Sequence, residues 1–460
     1  MLAAARKVQA WAFQHHETLE TQPIGLTAEP SFPQMQSLRG PPEEAPTPFD
    51  EIFQEFRSNV EPWAYRTNHP RFLAFVPGAP SVPSMIGDWL TAAANFFAGV
   101  WLEGSGPAQV ESTVLDWFRT WLGMPEGTSG VLTAGGSEAN LIALVVAREQ
   151  ISFADRDRAI IYVAEQRHWS IDRAAKVMGI RRDRVRVVPV DDQFRLRGDV
   201  LQACIEPDRK AGFLPWAVVA NAGATNTGTV DALDEIADVC NRESLWLHID
   251  GAYGWAAVLT EDGKRELSGI ERADSVTLDP HKWLAQTFDV GCVLVRNGKL
   301  LPETFATRPD YLQDVTPRED EINYADYGIA LTRRFRALKI WLSVRMLGLD
   351  WFRQLVQHSC DLAQYAQAKL EQTEHFEILC PRRLSILCFR HMSPKSADVE
   401  AENIRLLEKL RETGRVFLSS TRLNGVFAIR MCFVNWRTTA ADVDEIVELL
   451  VKLAENTREH

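Results

Sequence analysis

The sequence has no excess of basic residues. Its 460 residues include 50 lysines and arginines against 62 aspartates and glutamates, so the net charge is −12 with neutral histidines. A protein that binds the phosphates of a nucleic acid needs a basic face, and this balance argues against nucleic acid as a partner. We interpret the basic cluster at 181–186 as solvated surface and the one at 333–339 as part of an interface or site helix.

Paired cysteines and long apolar runs are also missing. The seven cysteines lie far apart without a C-x-x-C motif, which predicts neither a disulfide framework nor a metal site. The longest clean apolar run, 141–147, is far shorter than the roughly 20 residues that cross a bilayer. The N-terminal residues MLAAARK are too short and too charged for a signal peptide. These absences predict a cytoplasmic protein with no membrane partner.

The composition itself is that of a globular protein, with 46% hydrophobic and 24% charged residues. The 14 tryptophans exceed what a single core needs, so some are expected to line a pocket or a subunit interface. Residues 1–80 contain helical pieces broken by proline, including one over 49–60. This arm has too little apolar surface for its own core, and we expect it to pack elsewhere, for example on a second subunit.

Residues 81–349 are predicted to form a large α/β domain. Short continuous apolar runs alternate with amphipathic helices, a pattern typical of strands that are covered on both faces in a mainly parallel sheet. The strand candidates are 160–163, 185–188, 217–220, 245–249, 275–278 and 291–295, and the helix candidates are 138–148, 170–178, 233–241 and 331–347. Ligands bind such sheets at the carboxyl ends of the strands.

Residues 350–460 are predicted to form a smaller α+β domain. Asn424-Gly425 indicates a hairpin turn between the last two strands. The strand candidates are 376–379, 384–389, 417–421 and 426–433, and a closing helix is expected over 439–455.

Two charged residues at strand ends indicate chemistry. Lys282 follows a predicted strand, and its apolar neighbours can partly desolvate it, a state that favours a Schiff base with an aldehyde cofactor. Asp250 ends another buried strand and needs a positive partner, for which a protonated pyridine nitrogen would serve. The small Ala252 leaves room for a flat ring. The alternative interpretations are that Lys282 is an ordinary surface lysine and that Asp250 caps the next helix.

Two further motifs complete the pattern. The segment 133–140 opens a helix, and the backbone of Gly136 and the hydroxyl of Ser137 predict an anion site. This segment lacks both the P-loop lysine and the dinucleotide glycine spacing. His168 follows the strand at 160–163 and suits either ring stacking or a structural hydrogen bond. Together the four motifs suggest a cofactor with a phosphate, a ring and an aldehyde.

With these motifs the chain resembles the group II pyridoxal-phosphate-dependent decarboxylases, most closely the aromatic-L-amino-acid decarboxylase branch. The resemblance extends nearly end to end, through segments 69–72, 135–139, 246–250, 279–283 and 333–336. It implies pyridoxal 5'-phosphate as cofactor and the fold type I, aspartate-aminotransferase-like architecture. It also implies a homodimer in which the N-terminal arm, residues 1–80, is exchanged between subunits.

The resemblance further implies a role for each site residue. Lys282 would carry the cofactor, Asp250 would keep its pyridine nitrogen protonated, and His168 would stack on its ring. The rest of the cofactor site would consist of Gly136, Ser137, Thr225, Ala252 and His281. The substrate would contact Val76, Pro77, Trp101 and Thr332.

Tyr311 lies in a long segment without apolar periodicity that suggests a mobile lid. In the family, a tyrosine at this place favours decarboxylation, whereas phenylalanine accompanies oxidative deamination to an aldehyde. A solvent-exposed loop tyrosine is the alternative. Thr332 stands where plant relatives carry glycine for indolic and serine for phenolic substrates, and its branched side chain should narrow the pocket.

Four residues depart from the family pattern. Asp279 replaces a common asparagine, and a carboxylate near phosphate costs energy unless it is paired elsewhere. Trp169 is bulkier than the usual serine, and Val76 and Gly78 stand where animal enzymes have phenylalanine and threonine.

The sequence therefore predicts decarboxylation of an aromatic L-amino acid to an arylalkylamine and CO2. Phenylalanine, tyrosine or dihydroxyphenylalanine is favoured over tryptophan because of Thr332. No arginine is obvious for a second carboxylate, which disfavours glutamate and aspartate. An aldehyde synthase or a decarboxylase of another amino acid is the main alternative, followed by a transaminase and a non-catalytic binding protein.

Overall fold

In the computed structural model, which describes residues 2–307, 317–318, 320–392 and 398–456, a seven-stranded sheet forms the centre of the large domain. Its strands are β1 (Ser129–Thr133), β2 (Ala159–Ala164), β3 (Val185–Val188), β4 (Leu214–Asn221), β5 (Trp246–Asp250), β6 (Ser275–Leu278) and β7 (Gly291–Val295). The order is β1-β7-β6-β5-β4-β2-β3, and β7 runs antiparallel to its two neighbours while β3, β2, β4, β5 and β6 are parallel.

The predicted α/β class and the mainly parallel sheet are confirmed. All six predicted strands are present, and every residue of β2, β6 and β7 is buried, as expected for strands that are covered on both faces. The sequence analysis missed β1, which fills the edge position beside β7. Five of its residues pair with β7 in a regular antiparallel register, so long-range pairing supports a strand that its short apolar stretch did not reveal.

Helices cover both faces of this sheet and form the arm and the small domain. They are α1 (Leu2–Glu17), α2 (Pro33–Ser37), α3 (Phe49–Glu55), α4 (Val82–Ala94), α5 (Trp101–Trp121), α6 (Gly136–Glu149), α7 (Trp169–Val177), α8 (Gly198–Lys210), α9 (Leu233–Glu243), α10 (Glu261–Glu266), α11 (Leu300–Phe305), α12 (Ala337–Leu347), α13 (Leu349–Glu371), α14 (Val399–Glu412) and α15 (Ala440–Asn456).

The predicted helix over 331–347 begins only at Ala337. The Arg333 carbonyl instead accepts a hydrogen bond from the Ala98 backbone N–H, 3.2 Å away. The Arg333 side chain forms a buried ion pair with Glu111, and both residues also bond to the backbone of Leu132. Satisfying a buried guanidinium in this way keeps residues 331–336 out of the helix, and the sequence periodicity could not show this.

The smaller sheet comprises β8 (Phe376–Ile378), β9 (Ile386–His391), β10 (Ser419–Leu423) and β11 (Val426–Cys432), in the order β10-β11-β9-β8. Asn424 and Gly425 join the last two strands with positive φ angles of 50° and 81°, which confirms the predicted hairpin turn. Leu73 joins this unit, because its N–H donates to Phe417 and its carbonyl accepts from Cys432. The end of the N-terminal segment, just before α4, is therefore hydrogen-bonded to the small sheet.

The arm lies on the surface of its own chain. Helix α1 has no buried residue, Trp11 contacts the rings of Phe53 and Phe56, and Phe13 meets Trp89 of α4 edge to face at 5.8 Å. Exchange of the arm between subunits stays a prediction, as do the domain boundaries.

Two negative findings apply to the described part of the chain. No helix there is both long and apolar enough to cross a membrane, and no three side chains of His, Cys, Asp or Glu are grouped to hold a metal ion. All seven cysteines are free thiols. The cytoplasmic location stays a prediction.

Candidate active site

The predicted motifs meet at the carboxyl ends of the parallel strands. Asn221, Asp250 and Thr277 lie side by side at the ends of β4, β5 and β6. Lys282 follows β6 by four residues, while α6 and α7 begin just after β1 and β2. Because all these strands end at one edge of the sheet, residues distant in sequence share one site.

Asp250 is a buried carboxylate that only neutral groups contact. Its Oδ2 accepts from Asn140 Nδ2 at 2.9 Å, and its Oδ1 accepts from the Ala252 backbone N–H at 3.1 Å. Its exposed fraction is 6%, and no lysine, arginine or histidine of the described residues forms an ion pair with it. A carboxylate so placed is stabilised further by a cation such as a protonated ring nitrogen.

Behind Asp250 a chain of hydrogen bonds crosses β5 and β6. The Trp246 indole donates to Ser275 Oγ at 2.8 Å, and Ser275 Oγ lies 2.9 Å from His248 Nδ1. His248 Nε2 lies 3.0 Å from Asn140 Oδ1. The side-chain oxygen of Asn140 can only accept, so His248 Nε2 carries the hydrogen, and the neutral ring accepts at Nδ1 from the Ser275 hydroxyl. His248 is then the Nε2–H tautomer, which donates to Asn140.

The same chain reaches His168 through Asn140. The second N–H of the Asn140 amide donates to Ser170 Oγ at 3.0 Å, and Ser170 Oγ lies 2.8 Å from His168 Nδ1. Burial lowers the pKa of both His168 and His248, so both rings are neutral near pH 7. His168 Nδ1 therefore accepts a hydrogen bond, and its Nε2–H is left free to donate into the site.

Lys282 is ion-paired in this structure. Its Nζ lies 3.0 Å from Asp279 Oδ2, and its side chain is 20% exposed. His281 Nδ1 is 2.7 Å from the Val290 carbonyl, so the ring donates there and its Nε2 faces Asp279 at 3.8 Å. Burial lowers the pKa of His281 as well. Lys282 thus sits at the mouth of the site as a primary amine within reach of an incoming aldehyde.

The N-terminus of α6 forms an anion cradle. The backbone N–H groups of Gly136 and Ser137 find no acceptor among the described residues, and Ser137 is exposed. A Cβ on Gly136 would lie 2.9 Å from Asp279 Oδ2 and 3.2 Å from the Ala252 methyl, so only glycine permits this approach. Free N–H groups at the positive end of a 14-residue helix suit a phosphate.

The substrate-side loop packs directly on the lysine segment. Pro77 and Gly78 are buried and Val76 is half-buried, and a Cβ on Gly78 would collide with the carbonyls of His281 and Lys282. Phe75 has a φ of 58°, a conformation that is uncommon for a residue with a side chain. Strain of this kind accumulates at sites where neighbouring contacts fix the backbone.

The sequence analysis missed Arg430, a buried arginine beside this loop. Its Nη1 donates to the Phe75 carbonyl at 2.6 Å and its Nε to the Asn226 carbonyl at 3.1 Å, while its Nη2 has no hydrogen-bond partner. An arginine inside the otherwise apolar run 426–433 was the signal that could have identified it. Such a guanidinium is a ready partner for a carboxylate.

The remaining predicted residues have fewer contacts that link them to the site. Thr225 is half-buried in the loop after β4. The Trp101 backbone N–H donates to Asn323 Oδ1 at 2.8 Å, and Thr332 is exposed next to Arg333. In the described part of the chain, no hydrogen bond, ion pair or ring contact joins Trp101 or Thr332 to the group around Lys282. Tyr311 lies outside the described residues.

The residues present fit pyridoxal phosphate in three independent respects. The cradle at α6 offers backbone donors for the phosphate, Asp250 offers an unpaired carboxylate for the ring nitrogen, and Lys282 offers an amine for the aldehyde. These three groups follow three different strands and are far apart in the sequence. The fold, and not closeness along the chain, brings them together.

The hydrogen-bond chain predicts a large effect of Asn140→Leu. This nearly isosteric change removes a donor to Asp250 and leaves His248 Nε2–H without its acceptor, so we expect the free energy of unfolding to fall by about 2–5 kcal/mol. Asn241→Leu, on the exposed face of α9, should change it by less than about 0.5 kcal/mol. Urea unfolding monitored by tryptophan fluorescence measures both free energies. Equal effects of the two variants would show that these hydrogen bonds do not stabilise the fold.

The comparisons with known proteins point to the same cofactor, pyridoxal phosphate. The model of the pyridoxal-dependent decarboxylase conserved domain matches residues 34–392. The chain is 39% identical to an aromatic-L-amino-acid decarboxylase of Bacillus atrophaeus, over 96% of this chain and 92% of the relative. It is 28% identical to a phenylacetaldehyde synthase of Petunia hybrida, over 90% and 86% of the two chains.

A solved structure shows the same architecture. The crystal structure of Oryza sativa TDC with PLP and tryptamine superimposes with a TM-score of 0.93 at 27% identity, over 99% of this chain and 97% of that chain. The chain therefore belongs to the pyridoxal-dependent decarboxylases, lyases that act on amino acids with pyridoxal phosphate as cofactor.

Proposed function

We propose that this protein decarboxylates an aromatic L-amino acid, with phenylalanine, tyrosine or dihydroxyphenylalanine preferred over tryptophan. The observation that carries the proposal is the loop of Val76 and Pro77, whose next residue, Gly78, packs on the carbonyls of His281 and Lys282, so that an apolar side chain bound beside Lys282 would meet the apolar Val76 and Pro77. The similarity to the aromatic-L-amino-acid decarboxylase of Bacillus atrophaeus supports the same substrate class.

Asp250 would hold the ring nitrogen of the cofactor protonated. When bound, pyridoxal phosphate supplies an electron sink for the carbanion that remains as CO2 leaves. Asp250 makes this sink effective because its carboxylate, contacted only by neutral donors, favours a cationic partner. Asn140 and His248 act as positioning residues, since they fix the direction in which this carboxylate accepts.

His168 and Arg430 would orient the substrate. The neutral His168 ring can lie flat against the cofactor and donate its Nε2–H towards the substrate carboxylate, because its Nδ1 is already engaged by Ser170. The unpartnered Nη2 of Arg430 is a second donor next to the substrate-side loop. Water is excluded on this side by Pro77 and Gly78, which are buried against the lysine segment.

Tyr311 would return a proton to Cα after CO2 is lost. A phenolic hydroxyl is a suitable acid for this step because it delivers one proton and remains hydrogen-bonded afterwards. If that proton is not delivered, O2 can capture the carbanion, and the outcome becomes an aldehyde. The similarity to the phenylacetaldehyde synthase of Petunia hybrida makes this oxidative reaction the second candidate function.

A homodimer would complete the substrate pocket. Several apolar side chains close to Trp101 and Thr332 in the sequence are exposed instead of buried, and they are Trp89, Leu90, Phe96, Leu102, Ile329 and Leu331. A concentration of exposed apolar side chains of this kind indicates a subunit interface. We infer that Trp101 and Thr332 act on the site of the other subunit, since within one chain they do not contact the group around Lys282.

A substrate panel tests the proposed specificity. Purified holoenzyme is incubated with phenylalanine, tyrosine, dihydroxyphenylalanine, tryptophan, histidine and glutamate, and CO2 and amine are measured for each. We expect kcat/KM to be at least about tenfold lower for tryptophan than for the best substrate, because Thr332 narrows the pocket. Thr332→Gly should reduce that difference. Absence of CO2 from every aromatic amino acid would refute the proposal.

Tyr311→Phe tests the proton donor. We expect amine formation to slow by roughly 100-fold, because the general acid is lost. Aldehyde, ammonia and hydrogen peroxide should then appear in equal amounts, as one amino acid, one O2 and one water yield aldehyde, CO2, ammonia and peroxide. Tyr327→Phe is the matched control and should keep the wild-type product ratio. Unchanged amine formation in Tyr311→Phe would exclude this role.

Leu102→Glu tests the dimer. Sedimentation equilibrium of the wild-type protein should give twice the chain mass of 51.9 kDa, and a charge buried in the apolar contact should shift Leu102→Glu towards the monomer. Phe153→Glu changes another exposed apolar residue, 85% exposed against 68% for Leu102, and should leave the dimer intact. A monomeric wild-type protein with full activity would contradict the shared pocket.

A further inference from the structure

Asp279 is a buried carboxylate placed inside the anion cradle. Its exposed fraction is 2%, and its Oδ1 has no hydrogen-bond partner. Its Oδ2 lies beside the Gly136 backbone, and its Oδ1 lies 2.7 Å from the position of a Cβ on Gly291. A carboxylate therefore faces the first turn of α6, where the free N–H groups attract an anion.

The charges around Asp279 leave it with one cationic partner. Lys282 Nζ at 3.0 Å is that partner, and His281 Nε2 at 3.8 Å belongs to a ring whose pKa is lowered by burial. Burial also lowers the pKa of His168 on α7 and raises that of the Cys292 thiol on β7, so both are neutral near pH 7. The titratable groups that face Asp279 are thus Lys282, His281, His168, Cys292 and, from β5, Asp250.

Cofactor binding changes this balance. Lys282 Nζ is the amine that takes the aldehyde, so it is drawn away from Asp279 when the cofactor is attached. The phosphate meanwhile occupies the cradle and brings up to two negative charges close to the carboxylate. Like charges held close together in a site of low effective dielectric constant repel strongly, so an ionised Asp279 would oppose binding.

We propose that Asp279 takes up one proton when the phosphate of pyridoxal phosphate binds, and that the resulting O–H donates to the phosphate. The unpartnered Oδ1 then becomes part of a hydrogen bond, and the repulsion between the carboxylate and the phosphate is removed. A carboxylic acid donating to a charged acceptor forms one of the stronger hydrogen bonds in proteins. Cofactor affinity in this protein is thereby linked to pH and declines as the pH rises.

Asp279→Asn is the matched variant, because an amide of the same shape donates without a proton. Calorimetric titration of the apoprotein with pyridoxal phosphate, in two buffers of different ionisation enthalpy, gives the number of protons taken up on binding. We expect the wild-type protein to take up more protons than the variant, approaching a difference of one, between roughly pH 5.5 and 7. Protonation changes elsewhere in the site and on the cofactor cancel in this difference.

The affinity should follow the same difference. By linkage, the wild-type dissociation constant should rise about tenfold more per pH unit than that of Asp279→Asn over this range. Pyridoxal, which also draws Lys282 away from Asp279 but brings no phosphate, is the control ligand and should show a smaller difference between the two proteins. Equal proton uptake by both proteins with pyridoxal phosphate would overturn the proposal, as would the same difference with pyridoxal.

Infrared spectroscopy tests the wild-type protein alone, in case the variant does not fold. The holo-minus-apo difference spectrum should contain a protonated-carboxyl band that shifts when the protein carries 13C-labelled aspartate. A spectrum without that band would also reject the proposal. The inference rests on pyridoxal phosphate as cofactor and not on the aromatic substrate, so its failure would leave the substrate panel's outcome unaffected.

Discussion

A buried carboxylate without a cation, Asp250, is the constraint on which this site depends. Burying such a group costs several kcal/mol unless hydrogen bonds and a positive partner compensate. Among the described residues, Asp250 accepts hydrogen bonds from two neutral N–H donors only, those of Asn140 and Ala252. In the proposed function a protonated cofactor ring would bring the missing positive charge, so the affinity for the cofactor and its activation would have the same electrostatic origin.

This constraint extends through the sheet. Asn140 on α6 can serve Asp250 only because its carbonyl is fixed by His248, which in turn is oriented by Ser275 and Trp246. Three elements, α6, β5 and β6, must therefore lie in register before the carboxylate is satisfied. The same amide also reaches Ser170 and sets the tautomer of His168, so the ring nitrogen and the substrate face of the cofactor are prepared by one network.

The sequence predicted the strands well where continuous apolar runs marked them, and the motifs at 133–140, 250 and 282 indicated cofactor chemistry through their residue types. It failed where long-range contacts overrule local pattern. The helix expected from 331 starts at Ala337 because Arg333 is bonded to Ala98 and Glu111, and β1 is defined by its pairing with β7. Arg430 was missed because its importance arises from its distance to Phe75, 355 residues away in sequence.

By itself, the sequence determined the α/β class and the resemblance to a decarboxylase family, and it predicted which residues would bind an aldehyde, a phosphate and a ring cation. These follow from residue type and from periodicity, which are local properties of the chain. Only the tertiary structure decided which groups are charged or neutral and which donor faces which acceptor. Burial and distance set these properties, and both arise from segments far apart in sequence. Asp279 illustrates the difference: the sequence shows an aspartate beside a lysine, whereas the fold places that carboxylate, buried and half unpartnered, in the phosphate cradle.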